Sequence, residues 1–169
     1  RHLSRAHLLL SSFRPSAMTK LGLNWPSLHR QYPQLSQVAV VGYSGDGAEK
    51  PGHDLTYMAG HDLIAGLNTP PSLFADMAGS LHAVQAVYQA ALWRQTHAKG
   101  IYLEVALADT AAYLALPRQW GLTGPGGAVG GAHAGYRVYP CRDGRVAVAA
   151  LEPHFALRLC QAASLPPDT

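Results

Sequence analysis

His53 and Asp76 are the residues of this chain whose types and spacing best suit chemistry. An imidazole and a carboxylate stand 23 positions apart, the first within Gly52-His53-Asp54. Both fall where a loop is predicted to give way to a helix, and Glu152 adds an acidic group at a third such junction. Histidine and a carboxylate can each hold or release a proton near neutral pH once their surroundings tune them. Such a pair suits removal of a proton from one face of a carbon and its return on the other.

Each of these residues also has a purely structural explanation. Asp is a favoured helix cap worth about 1 kcal/mol, so Asp76 could serve only to start its helix. A single histidine such as His53 is commonly a hydrogen-bonded loop residue, and Glu152 suits the first turn of a helix through the dipole alone. The second copy of the dipeptide, His61-Asp62, is predicted to be structural and to lie inside a helix. Histidines and cysteines show no zinc spacing, so no metal site is predicted.

The elements that must position these residues alternate along the chain. Apolar runs at residues 6–13, 37–43 and 101–107 predict strands. Helices are predicted after Asn24, over residues 54–67 and 76–98, and from Asp109, read as a cap, to about residue 116. The long helix carries apolar residues from Met77 to Leu92 on one side. Alternating strands and helices are typical of an α/β fold with a parallel sheet.

The last third of the chain has a different character. Residues 121–135 hold seven glycines in fifteen positions, which predicts a linker. A hairpin around Asp143-Gly144 and a helix from Pro153 follow. We therefore predict a large α/β domain with a partial Rossmann-like parallel sheet over residues 1–120, a linker over 121–135, and the start of a small α+β domain over 136–169. The chain lacks an initiator Met and is expected to be a fragment without its N-terminal part.

Composition limits the classes of function. Of the 169 residues, 48 % are hydrophobic and 14 % charged, which excludes a disordered polar chain. The net charge of +3 is scattered, which suits a small anionic ligand and gives no stripe for nucleic acid. No apolar run approaches the roughly 18–20 residues that span a bilayer, so no membrane association is predicted. Two cysteines without a framework predict a reduced, cytoplasmic location.

Several segments, in order along the chain, resemble the family III CoA-transferases. Ser12-Phe13-Arg14-Pro15, followed by Lys20-Leu21-Gly22-Leu23, is similar to the family signature near the CoA site. Residues 41–47 resemble a glycine-containing loop that comes next, and residues 51–54 and 73–79 match the segments after it. The resemblance is closest to the α-methylacyl-CoA racemase branch. The chain departs from the pattern by lacking the N-terminal strand and glycine turn of the family.

The resemblance implies an isomerase that removes and returns the α-proton of an acyl-CoA thioester. His53 and Asp76 would be its acid and base, and Glu152, from a small domain that the partner subunit supplies, would orient His53. Backbone N–H groups at the start of the Asp76 helix would stabilise the enolate. The resemblance further implies an interlaced homodimer, and CoA as part of the substrate without a permanently bound cofactor. It assigns CoA binding to Ser12, Phe13, Arg14, Lys20, Gly52, Asp54 and Tyr57.

Two alternatives stay open at this point. In a CoA-transferase, the Asp76 carboxylate would attack the acyl-CoA, forming a mixed anhydride and then an aspartyl-CoA thioester. That route needs neither His53 nor Glu152, and the glycines at 124–131 resemble the flap of the transferases. The second alternative is a truncated remnant that catalyses no reaction.

Overall fold

The computed structural model describes residues 2–166, which form two units. The first unit ends at Ala115 and the second begins at Leu116. The glycine-rich segment predicted as a linker therefore belongs to the second unit. Residues 167–169, the end of the predicted small domain, lie outside the described part of the chain.

A parallel sheet forms the centre of the first unit. Its strands are β1 (Leu8–Ser11), β2 (Ser36–Val41) and β3 (Tyr102–Ala106), in the order β1-β2-β3. Leu8 pairs with Ser36 and Gln37 with Tyr102, and both pairings are parallel. The central strand β2 is almost wholly buried, as expected for a parallel strand that helices cover. The predicted α/β fold with a parallel sheet is confirmed.

Five helices connect and cover these strands. They are α1 (Pro15–Lys20), α2 (Trp25–Gln31), α3 (Asp54–Gly60), α4 (Phe74–Thr96) and α5 (Leu107–Leu114), with short 3₁₀ turns at Leu3–Arg5 and Gly45–Gly47. The predicted cap of α2 is confirmed, because the Asn24 side chain accepts the N–H of Ser27 at 3.0 Å. The segments after β1, β2 and β3 all start from the same edge of the sheet, where ligands of open α/β sheets bind.

Two predicted helix boundaries are wrong. Helix α3 ends at Gly60, not near residue 67, because Asp62 adopts a left-handed backbone with φ 56° that terminates the helix. His61 and Asp62 therefore follow the helix and do not lie within it. Helix α5 begins at Leu107, immediately after β3, and its cap is Ala106. Asp109 consequently lies in the first turn and is not the cap.

Helix α4 buries its small residues and exposes its large ones. The buried side consists of Ala75, Gly79, Ala83, Ala86 and Ala90. Small residues let the backbones approach closely, and a Cβ added at Gly79 would collide with the side chain of Leu107 in α5. The exposed side carries a row of large apolar residues, here called the apolar stripe of α4: Met77, Leu81, Val84, Tyr88 and Leu92.

The second unit contains a hairpin between two helices. Its elements are α6 (Leu116–Gln119), β4 (Tyr136–Cys141), β5 (Gly144–Ala149) and α7 (Pro153–Ala162). Strands β4 and β5 pair antiparallel, with Cys141 opposite Gly144 at the turn, so the predicted hairpin and following helix are confirmed. Within residues 2–166, no helix combines the length and hydrophobicity needed to cross a membrane.

Candidate active site

His53 precedes α3 at the N-cap position, where its backbone is extended, with φ −142° and ψ 166°. Its N–H donates to Thr56 Oγ1 at 3.0 Å, and that hydroxyl donates to the His53 carbonyl at 2.8 Å. These two bonds hold the backbone of the residue, while the residue itself is exposed to solvent. Its imidazole is therefore accessible to a bound substrate.

Asp76 is the third residue of α4, and the cap of that helix is Leu73. The capping explanation for Asp76 is therefore wrong. Its N–H donates to Oδ1 of Asp54, the first residue of α3, at 3.0 Å. The N–H of Asp76 is thus already bonded within the protein and does not suit the expected role of stabilising an enolate oxygen.

Burial raises the pKa of the Asp76 carboxyl above its usual range, and the nearby Asp54 carboxylate raises it further. His53 acts in the opposite direction and lowers the pKa of Asp76. A charge shifts a neighbour's pKa in this way only at short range. The fold therefore brings His53 and Asp76 within electrostatic reach of each other, although 23 positions separate them in the sequence.

The raised pKa predicts that Asp76 lowers the stability of the folded protein at neutral pH. Between the usual Asp pKa of about 3.9 and its raised folded value, the folded state binds the proton more tightly than the unfolded chain. The contribution of the Asp76 carboxyl to folding stability is therefore fully present below the usual Asp pKa. It is lost as the pH rises through the raised pKa of the folded state. We therefore expect Asp76→Asn to raise Tm at pH 7, with a gain that disappears below about pH 4. Thermal scans from pH 3 to 8 measure this; a pH-independent difference would contradict it.

Tyr57 packs against the loops on either side of the Gly52-His53 segment. It is buried, and its ring lies against both Gly42 and Gly52, where an added Cβ would overlap the phenol. Its ring also meets Tyr43 edge-on, with centroids 5.3 Å apart. Burial raises the pKa of Tyr57, as do Tyr43 and then Asp76. Gly52 is therefore required by the packing of Tyr57.

Most of the residues assigned to CoA binding line one small cavity of about 210 Å³. They are Ser12, Phe13, Arg14, Gly52 and Tyr57. Lys50 lines the same cavity, and the sequence interpretation missed it. The sequence feature that could have identified Lys50 is its position two residues before Gly52, in a loop that follows a strand at the carboxyl edge of the sheet. Arg14 and Lys50 together make this cavity suited to an anionic group.

Two of the predicted CoA-binding residues are not among those that line this cavity. Lys20 is exposed at the last residue of α1. Asp54 is buried, with 4 % of its surface exposed, and its carboxylate bonds to the N–H of Asp76.

A larger, mostly apolar cleft of about 810 Å³ adjoins the cavity, and Ser12, Val40 and Leu107 line both. Asp76 opens into this cleft beside α4 residues such as Ala83 and Val84. The first unit therefore presents a cationic cavity next to an apolar cleft that contains a carboxyl group. This arrangement fits a ligand with an anionic part and an apolar part.

Glu152 lies in the second unit, at the residue before α7. It is exposed, and its side chain makes no capping hydrogen bond to the helix. Glu152 is therefore the N-cap residue of α7 and not a residue of its first turn, and its charge at that position still suits the helix dipole. Among the described residues, no three His, Cys, Asp or Glu side chains cluster as metal ligands would.

Known proteins provide independent comparisons. The family profile described as CoA-transferase family III matches residues 2–168. The chain is 32 % identical over 118 residues to the probable fatty acyl-CoA transferase Rv3272 of Mycobacterium tuberculosis, covering 64 % of this chain and 30 % of that protein. It is 32 % identical over 162 residues to the succinyl-CoA:(R)-benzylsuccinate CoA-transferase subunit BbsE of Thauera aromatica, covering 88 % of this chain and 39 % of that protein.

The fold comparison agrees with the sequence comparison. A crystal structure of Rv3272 from Mycobacterium tuberculosis superposes with a TM-score of 0.80 at 27 % identity, covering 98 % of this chain and 48 % of that one. The chain thus spans half or less of the length of these relatives. Its profile match covers nearly every residue and its fold follows that of a relative, so the chain belongs to the family III CoA-transferases.

Proposed function

We propose that this protein exchanges the α-proton of an acyl-CoA thioester, as an α-methylacyl-CoA racemase does. The observation that carries the proposal is the 3.0 Å hydrogen bond from the Asp76 N–H to Oδ1 of Asp54, the residue after His53, which brings the starts of α3 and α4 together. One residue acts as base and removes the α-proton, and the C–H electron pair moves into the thioester carbonyl to give an enolate. The other residue then returns a proton to the opposite face of the α-carbon.

The electrostatics of Asp76 support a role as proton donor. Burial and the Asp54 carboxylate raise its pKa above the usual Asp range, which is the direction expected for a carboxyl group that serves as a general acid. The solvent-exposed His53 is the complementary base. By the resemblance, the residue that pairs with the His53 imidazole and orients it is the partner subunit's Glu152.

The cavity and the cleft supply the substrate site in this proposal. Arg14 and Lys50 bind a phosphate of CoA, and the apolar cleft beside Asp76 receives the acyl group. The thioester then lies where the two spaces adjoin, near Ser12 and Leu107. Lys20 and Asp54 have no part in this CoA cavity.

Replacing Lys50 tests the CoA cavity. We expect Lys50→Ala and Arg14→Ala each to weaken CoA binding about tenfold, because each removes a cation from a phosphate, and charge-assisted hydrogen bonds contribute about 1.5–3 kcal/mol. Titration calorimetry with CoA at two salt concentrations measures the loss, which should shrink at high salt. Lys99→Ala is the matched control, since Lys99 is exposed and does not line the cavity. Equal affinity in all three variants would contradict the assignment.

Deuterium uptake tests the proposed reaction. The protein is incubated with a 2-methylacyl-CoA in deuterated water, and the α-position is followed by mass spectrometry. Uptake that requires His53 and Asp76 supports the proposal. No uptake by a protein that still binds CoA would overturn it.

CoA transfer through Asp76 is the second candidate function. It is favoured by the names of the two relatives above, a probable fatty acyl-CoA transferase and a subunit of a CoA-transferase. The Asp76 carboxylate faces the cleft, where it could attack a thioester. Hydroxylamine would trap an acyl group on Asp76 if this route operates, and an added carboxylic acid would then receive CoA.

A homodimer is also proposed, as the resemblance implies. The apolar stripe of α4 supports it, because Leu81 is 70 % exposed and Met77 is 60 % exposed in the single chain, and neither residue lines the proposed acyl cleft. Burying such a row against a second copy would remove apolar surface from water. Sedimentation equilibrium of the full-length protein, with and without Leu81→Asp, distinguishes a dimer from a monomer.

A further inference from the structure

A buried carboxylate joins the two helices that carry the proposed acid and base. Asp54 follows His53 directly in the chain, and only 4 % of its surface is exposed. Its Oδ1 accepts the N–H of Asp76 at 3.0 Å, across 22 positions of sequence. One residue is thus attached to His53 through its backbone and to Asp76 through its side chain.

We propose that Asp54 is a positioning residue, whose buried carboxylate holds the first turn of α4 against α3 and thereby sets the separation of His53 and Asp76. The inference rests on the proposed function for its effect on the reaction. It replaces the expectation that Asp54 contacts CoA.

The bond satisfies a requirement of both helices. The first N–H groups of a helix have no acceptor within the helix, and the cap residue of α4 is Leu73, whose side chain cannot accept a hydrogen bond. Asp54 supplies the missing acceptor from another helix. Asp54 is also the first residue of α3, where the helix dipole stabilises a negative charge.

A second hydrogen bond holds the same turn of α4 and offers a control. Thr110 of α5, which is 1 % exposed, donates from Oγ1 to the carbonyl of Ala75 at 2.9 Å. Thr110→Val removes this bond while keeping the shape of the side chain and the charge of the site. Asp54→Asn keeps an acceptor oxygen but removes the charge, and Asp54→Ala removes both.

The charge of Asp54 gives a readout that a purely structural role would not produce. The Asp54 carboxylate raises the pKa of Asp76, so Asp54→Asn should lower that pKa, whereas His53→Gln should raise it. Of the other ionisable groups on packed elements, Tyr57 of α3 also interacts electrostatically with Asp76, and it is unchanged in all of these variants. On α5, Tyr113 packs against His82, and Asp109 lines a different cavity. On β3, the Tyr102 hydroxyl donates to Glu104.

The test measures the Asp76 amide and the reaction separately, on the full chain. Amide hydrogen exchange by NMR should show protection of the Asp76 N–H in the parent, in Asp54→Asn and in Thr110→Val, and loss of that protection in Asp54→Ala. Carbon-13 titration of the Asp76 carboxyl should give a lower pKa in Asp54→Asn than in the parent or in Thr110→Val. The exchange of the substrate α-proton should fall about 100-fold in kcat for Asp54→Ala, with KM little changed, because small misplacements of reacting groups cost that much.

Each outcome decides between the alternatives. An Asp76 amide that stays protected in Asp54→Ala, or an Asp54→Ala variant that keeps the parental kcat, overturns the positioning role. If Asp54→Ala does not fold, an unchanged Asp76 pKa in Asp54→Asn overturns it. A parent protein without α-proton exchange overturns the proposed function, while the amide and carboxyl measurements still decide the role of Asp54.

Discussion

His53→Ala and Asp76→Asn are each expected to lower the rate of α-proton exchange by a factor of about 100 to 10,000, the usual contribution of a positioned acid or base. Each variant leaves only one of the two proton-transfer groups, so a proton can no longer leave one face and return on the other. Binding of CoA should be retained, because neither side chain lines the cavity with Arg14 and Lys50. Mass spectrometry of the α-position and calorimetry with CoA measure the two effects independently.

The chain contains a matched control for His53. The tripeptide Gly-His-Asp recurs at residues 60–62, and its histidine, His61, lies just after the end of α3. His61→Ala should exchange the α-proton at nearly the parental rate. A His53→Ala variant that retains the rate of the His61→Ala protein would rule out the two-base mechanism. If the His53→Ala variant also moved CoA to a carboxylic acid, while the Asp76→Asn variant did not, CoA transfer would be the correct function.

Gly100→Ala is expected to destabilise the first unit by roughly 2 kcal/mol, since overfilling a tightly packed site usually costs about 1–3 kcal/mol. A Cβ at this buried position would overlap the carbonyl of Leu35 and approach the N atom of Ser36, both of which belong to the backbone. The backbone cannot rotate away as a flexible side chain would, and the Gly100 N–H is held by the Pro33 carbonyl at 2.8 Å. Thermal unfolding should show a Tm lower by about 5 °C.

Gly60→Ala is the matched control for Gly100→Ala. Gly60 is the last residue of α3, and an added Cβ there meets no atom within 4 Å. Alanine should be neutral or stabilising at this site, by about 0.5–1 kcal/mol, because it restricts the unfolded chain more than glycine does. Equal Tm values for the two variants would show that the contact between Gly100 and Leu35 is looser than described.

Local sequence signals were sufficient for much of the fold. Each strand of the sheet is a short apolar run, and the Asn24 cap is a side-chain bond across three residues, so both depend on neighbouring positions only. The hairpin around Asp143 and Gly144 is equally local. The boundaries that failed depend on less local features. Helix α3 stops at a left-handed Asp62, and α5 starts directly from the end of β3.

The long helix α4 shows where a sequence pattern is insufficient. A stripe of large apolar residues is ordinarily the side that a helix buries. Here the small residues, such as Ala75 and Gly79, are buried, because close approach of α5 leaves room for nothing larger. The apolar stripe from Met77 to Leu92 is left exposed in the single chain. Which side packs is therefore decided by the distance between helices, which no periodicity records.

The sequence by itself determined the family, the parallel sheet and the residue types of the candidate site, because family motifs and apolar runs are contiguous. Only the tertiary structure decided how those residues are used. It joined Lys50 to Arg14 around one cavity, and Lys20 is not among the residues that line it. It also turned Asp54 away from this cavity and bonded it to the backbone of Asp76. Such contacts depend on where distant segments meet at the edge of the sheet, and spacing along the chain does not encode that geometry.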